Sequence, residues 1–206
     1  MGRSVTVTGR GQASAPHDEA TLRLAATARA ANPSDATARA TYSMAAMRDA
    51  VVSAGADATQ LATTHVSLSP VHDPWPTVVA YEATLGLAVK ITDLDHVGSL
   101  LVAAVGAGGD GARVDGIEFS HSDPAALASQ AREAAYADAV AKATQYAGLA
   151  GQALGEVRHV AEASSGGGPM PKRMMMASAD AGMPIDGGEG AVSAVLTVTW
   201  ALGPSV

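Results

Sequence analysis

The sequence predicts an α+β fold in which antiparallel sheets carry helices packed on one face. Three runs alternate apolar and polar residues with period two, which is typical of strands with one buried face; they lie at 19–30, 78–91 and 191–202. Near 36–51, apolar residues recur instead at spacings of three and four, as on one face of a helix. The predicted order, β-β-α-β-β-α-β-α-β-β, does not strictly alternate strands with helices, which argues against a doubly wound parallel sheet.

Each strand follows from a local pattern and a turn signal. Val5 and Val7 alternate with threonines, and Gly9 and Gly11 are expected to end this first strand in a turn. The prolines within 70–78 predict a loop between the third and fourth strands, because proline cannot pair regularly inside a sheet. The remaining strands are predicted at 61–70, 112–120 and 156–163.

Capping signals mark the predicted helices. Asn32 before Pro33, and Asp123 before Pro124, place an N-cap side chain ahead of a proline at the first helical position. A second helix is predicted from Thr92 to the glycine cluster at 106–111. That cluster has the G-x-G-x-x-G spacing of a dinucleotide site, but such a site needs a strand before it and a helix after it. Here a helix is predicted before the cluster and a strand after it, which favours a turn that ends the helix.

Length and composition indicate one domain, at 4–202, whose core consists of small side chains. The 206 residues are 48% hydrophobic but only 3% aromatic, so the core must come from Ala, Val, Leu and Met. Such a core buries less apolar area per residue, and each buried Å² contributes roughly 25 cal/mol. We therefore expect an interface with another subunit to add stability.

Charge and cysteine content exclude several classes of function. The net charge is -7, and the sequence lacks the basic stripes of nucleic-acid binders. A negative charge is also unfavourable at an anionic membrane. The absence of cysteine excludes disulfides and thiolate chemistry. No apolar run is long enough to span a membrane. Residues 1–16 show no signal-peptide core, so we expect a cytoplasmic protein, or a periplasmic or extracellular one if a leader was removed.

A segment rich in Gly, Pro, Ser and Met, at 164–190, separates the last two predicted strands. Its apolar residues follow neither the period of a strand nor that of a helix. Thioethers can form an adaptable contact surface, can be oxidised sacrificially, and can bind Cu(I). We favour a flexible or interface loop, and the other two interpretations stay open. The clustered methionines are Met170, Met174, Met175, Met176 and Met183.

A few polar residues are weak candidates for a metal or ligand site, and none is predicted to be catalytic. Two of them flank the proline loop, which also holds Trp75, and this loop could equally pack against a neighbouring subunit. The other two lie at a strand-to-helix turn, where adjacent residues rarely converge as a catalytic triad would require. Asp123 in that turn is already explained as an N-cap. The four candidates are His65, His72, Glu118 and His121.

A series of short segments, in fixed order over almost the whole chain, resembles the SIMPL-domain family. The segments are 5–11 (VTVTGRG), 17–20 (HDEA), 51–55 (VVSAG), 61–70 (LATTHVSLSP), 81–83 (YEA), 91–98 (ITDLDHVG), 116–119 (GIEF) and 122–123 (SD). Their order and spacing carry the resemblance. The chain departs from the family in showing no signal peptide, and in having Pro16 rather than a proline directly before Asp18.

The resemblance implies an α+β fold and no assigned reaction. A periplasmic immunogenic member of the family forms ring-like homo-oligomers, other members are linked to oxidative-stress tolerance, and an animal member to kinase signalling. The family has no established catalytic motif. We therefore expect a non-enzymatic protein without a cofactor that assembles with itself into a ring-like homo-oligomer, with contacts at the 70–78 and 164–190 loops. The alternative is a stress-response protein that binds a small molecule or metal.

Overall fold

The computed structural model describes residues 2–163 and 185–204, which fall into two compact units. The four-stranded unit comprises 17–120 and 185–187, and the three-stranded unit comprises 2–16, 121–163 and 188–204. All recorded strand pairs are antiparallel, so the predicted α+β class is confirmed.

The elements follow the predicted order along the described residues. The strands are β1 (Ser4–Pro16), β2 (Glu19–Ala30), β3 (Leu61–His72), β4 (Val78–Ile91), β5 (Ala112–Ser120), β6 (Leu154–Glu162) and β7 (Glu189–Leu202). The helices are α1 (Pro33–Ser53), α2 (Val97–Gly108) and α3 (Pro124–Leu149).

The four-stranded unit has the strand order β3-β4-β2-β5, with α1 and α2 on one face of the sheet. The alternation in β2 puts Leu22 and Leu24 in the core, while Arg23 between them is exposed. Met47 and Val51 from α1, and Leu100 from α2, complete this core. The helices contact β4, β2 and β5.

The three-stranded unit has the strand order β1-β7-β6, with α3 packed on β1 and β7. The buried stripe of α3 consists of alanines four residues apart, which lie against Val198 and Trp200. Small side chains allow the helix to approach the sheet closely, because alanine adds only one carbon to the helix surface. The stripe contains Ala131, Ala135, Ala139, Ala143 and Ala147.

The expectation that Gly9 and Gly11 end the first strand is wrong, because β1 continues through both to Pro16. Both glycines face α3. A Cβ added at Gly9 would overlap the carbonyl oxygen of Ala135, and one added at Gly11 would overlap that of Ala131. Glycine in a strand often marks such a close approach of another backbone, and this replaces the turn interpretation.

The predicted capping residues take the expected positions. Asn32 Oδ1 accepts a hydrogen bond from the Asp35 amide at 2.9 Å, and Asp123 Oδ1 accepts one from the Ala126 amide at 2.8 Å. Gly109 follows α2 with a φ of 57°, which confirms that the glycine cluster ends a helix. The start of α2 differs from the prediction: a 3₁₀ turn at Leu94–His96 precedes it, and the helix begins at Val97.

The last strand begins at Glu189, two residues before its predicted start at 191. Ile185 packs against the core of the four-stranded unit, and the carbonyl oxygen of Gly187 lies 2.7 Å from Nδ1 of His17. The five clustered methionines lie outside the described residues, and their proposed roles stay predictions.

Candidate functional site

The described sheets have four outer strands, β3 and β5 in one and β1 and β6 in the other. An outer strand presents backbone N–H and C=O groups that can pair with another chain. Charged side chains, bulges and covering elements normally protect such an edge. The four edges of the described residues differ in how far they are protected.

The edge of β1 is covered by polar side chains of α3. Asp138 accepts a hydrogen bond from the Arg10 amide at 2.8 Å, and Lys142 donates one to the Thr8 carbonyl at 3.1 Å. The Lys142 ammonium, 2.6 Å from Asp138, and then the Arg10 amide hold the pKa of the Asp138 carboxyl below its usual value. At neutral pH this carboxylate is therefore charged and satisfies a backbone donor of the edge.

Charged residues and bulges protect the edges of β5 and β6. In β5, Asp115 is the extra residue of a bulge, and Gly116 beside it has a φ of 148°, where glycine is favoured. The pairing of β6 with β7 changes register twice. The charged residues on these two strands are Arg113, Asp115, Glu118, Glu156, Arg158 and Glu162.

β3 contains no Asp, Glu, Lys or Arg along its twelve residues. Thr64 is the extra residue of a bulge, and this bulge moves Val66 and Leu68 to the face of the sheet that carries the helices. They lie opposite Leu85 and Ala83 of β4, and cross-strand partners share one face. Without the bulge, these side chains would point to the other face.

α1 packs on β4 and β2, so β3 extends beyond the cover that the helix supplies. Val66 is 69% exposed and Leu68 is 48% exposed although both lie on the helix-bearing face. We call the edge of β3 with these two side chains the β3 strip. The β3 strip was not predicted from the sequence. The run at 61–72, which contains no Asp, Glu, Lys or Arg, is the signal that could have identified this strip.

The loop predicted at 70–78 is confirmed with narrower bounds, since β3 continues to His72 and β4 begins at Val78. The amide of Thr77 donates to the carbonyl of Pro74 at 2.9 Å, and the amide of Asp73 donates to the carbonyl of Thr77 at 3.1 Å. Trp75 at the tip is exposed and contacts the His72 ring in a tilted arrangement, with ring centroids 4.3 Å apart. A contact role for Trp75 stays a prediction.

The structure does not bring the metal candidates together. His65 and His72 lie seven residues apart on β3, which separates them by roughly 23 Å along the strand. Glu118 forms an ion pair with Arg23 at 2.9 Å. His121 lies two residues before Asp123, the N-cap of α3. Within 2–163 and 185–204, no three His, Asp or Glu side chains are grouped so that they could hold a metal ion.

Comparison with known proteins agrees with the resemblance drawn from sequence segments. Residues 5–200 match the model of the SIMPL family, described as a protein of unknown function (DUF541). The chain is 28% identical over 214 residues to the 26 kDa periplasmic immunogenic proteins of Brucella melitensis and Brucella abortus. Each alignment covers 95% of this chain and 83% of the relative. Among the described residues, no helix is long and apolar enough to cross a membrane.

Proposed function

Because the chain belongs to the SIMPL family, for which no reaction is assigned, we propose that it is a non-enzymatic protein that assembles with copies of itself through β3. The observation that supports this proposal is the β3 strip, an open edge without a charged residue and with exposed apolar side chains. The other outer strands of the described residues carry charged side chains or are covered by α3.

The contact we propose is antiparallel pairing of β3 with the same strand of a second copy. The segment Val66–Ser69 has no register irregularity against β4, so its outward backbone groups are evenly presented. Pairing would satisfy those groups and would bring Val66 and Leu68 of both copies against each other. Pro70 ends the pairing segment on the side of the loop, since proline lacks a backbone donor. Such a two-fold contact is short, so its population should depend on protein concentration.

The names of the two relatives bear on the compartment. Both are described as periplasmic, which gives no support to the cytoplasmic expectation. We propose that this chain also acts in the periplasm. A link to oxidative-stress tolerance is a hypothesis that depends on the family resemblance alone.

The proposed assembly is tested by the native mass of Leu68→Lys, measured by light scattering over a range of concentrations. The wild-type chain should exceed the 20.5 kDa of one copy, and its mass should rise with concentration. A lysine at Leu68 puts like charges opposite each other in the pair, so the variant should remain at the mass of one copy.

The matched control is Val160→Lys on β6. Val160 is 49% exposed, close to the 48% of Leu68, and it also lies on the helix-bearing face of an outer strand. This variant should keep the wild-type mass. A wild-type chain that stays monomeric at every concentration, or an equal loss of mass in both variants, would contradict assembly through β3.

A further inference from the structure

The four-stranded unit contains a cavity of about 400 Å³, at the end of the sheet away from the loop at 73–77. Its wall is formed by the start of β2, the connection between α1 and β3, the end of β4 and the start of α2. This volume lies within the range of pockets that hold small molecules. None of the four residues first considered as ligands lines it.

Part of the cavity lining is apolar. Ile91 at the end of β4 and Leu100 in α2 line it, and both belong to the buried core of this unit. These two side chains are held by packing on β2 and α1, so the apolar wall is preformed. A short aliphatic chain placed here would lose contact with water at no cost in rearranging the protein.

The rest of the lining includes charged groups, most of them carboxylates. Glu19, which is 9% exposed, lies 2.9 Å from the ammonium of Lys90. Asp57 and Asp93 line the same cavity. Three carboxylates and one lysine therefore line this cavity, and the imidazole of His96 lies 2.9 Å from Asp93.

One carboxylate oxygen of Asp57 accepts hydrogen bonds within its own turn. The other makes no hydrogen bond to the described residues. Its Oδ1 accepts from the amide and the hydroxyl of Thr59, both at 2.8 Å. The Thr59 amide, and then its hydroxyl, lower the pKa of this carboxyl. The group is therefore charged at neutral pH, and Oδ2 can accept a hydrogen bond from a ligand.

We propose that this cavity binds a small organic cation, a primary amine or diamine on a short aliphatic chain. The chain lies against Ile91 and Leu100, and the ammonium donates to Asp57 and its neighbouring carboxylates. An anionic ligand fits less well because Lys90 is already paired with Glu19 and the other two acids repel it. This site is separate from the β3 strip, so it does not depend on the proposed assembly.

The proposal is tested by calorimetric titration with 1,4-diaminobutane, alongside 1,4-butanediol as the neutral analogue and succinate as the anionic one. The wild-type chain should bind the diamine saturably, one molecule per chain. Asp57→Asn should weaken binding at least tenfold, since the amide keeps the turn but loses the charge. The matched control, Asp115→Asn, removes an exposed carboxylate of β5 outside the cavity and should bind as the wild type does.

A second variant gives a change in the opposite direction. Lys90→Met removes the cation that competes for Glu19, so the diamine should bind more tightly than to the wild-type chain. Absence of diamine binding, equal weakening in Asp57→Asn and Asp115→Asn, or equal affinity for butanediol would each overturn the proposal. Loss of binding in Lys90→Met together with succinate binding would show an anion site instead. The Leu68→Lys variant should bind the diamine normally, which separates this test from that of assembly.

Discussion

Gly9 shows how one missing side chain allows α3 to pack on β1. Because a Cβ there would overlap the carbonyl of Ala135, Gly9→Ala must push the helix away from the strand. Overpacking of this kind typically costs about 1–3 kcal/mol of the free energy of unfolding, and we expect a loss in that range. Denaturant unfolding of the variant and the wild-type chain measures it.

Gly86→Ala is the matched control for Gly9→Ala. A Cβ at Gly86 meets the imidazole of His65 and the hydroxyl of Thr64, two side chains on an exposed strand that can rotate away. We expect a smaller loss of stability than at Gly9, because no backbone has to move. Equal losses at the two glycines would mean that helix contact does not explain Gly9.

A second prediction at the scale of single residues concerns Asp138 and pH. Its pKa is lowered in the folded chain by Lys142 and the Arg10 amide, so its ionisation favours folding above the unfolded value of about 3.9. This contribution disappears as the pH falls through the lower folded value. Asp138→Asn should therefore lower the urea midpoint at pH 7, and the difference should vanish in strong acid. A difference that persists at low pH would mean that the effect comes from lost packing. The control variant Asp115→Asn should have the same urea midpoint as the wild-type chain.

At the scale of elements, the sequence predicts a strand well where one face of that strand is buried. β2 and β4 keep their predicted bounds, 19–30 and 78–91, since a helix covers one face of each and enforces the alternation. The end of β1 was missed because Gly9 has two meanings in a strand, a turn or the close approach of another backbone. Only the position of α3 decides between them.

The β3 strip shows a different limit of sequence analysis. A bulge is a change of register between two strands, and the apolar pattern of β3 alone does not specify its position at Thr64. The face taken by Val66 and Leu68 follows only once the pairing with β4 is known. The cavity has the same origin, since Glu19 and Asp57 are distant in sequence and are brought together by the sheet.

At the scale of the whole molecule, the proposed assembly predicts that β3, and not another outer strand, pairs with a second copy. Hydrogen exchange can compare the outer strands directly, because a backbone amide that pairs with another chain becomes protected. We expect exchange at Val66–Ser69 to slow as protein concentration rises, while the amides of Glu156–Glu162 on the charged β6 exchange at an unchanged rate. In Leu68→Lys, the slow exchange at β3 should be lost at every concentration. Concentration-dependent protection at β6 but not at β3 would move the contact between copies to the three-stranded unit.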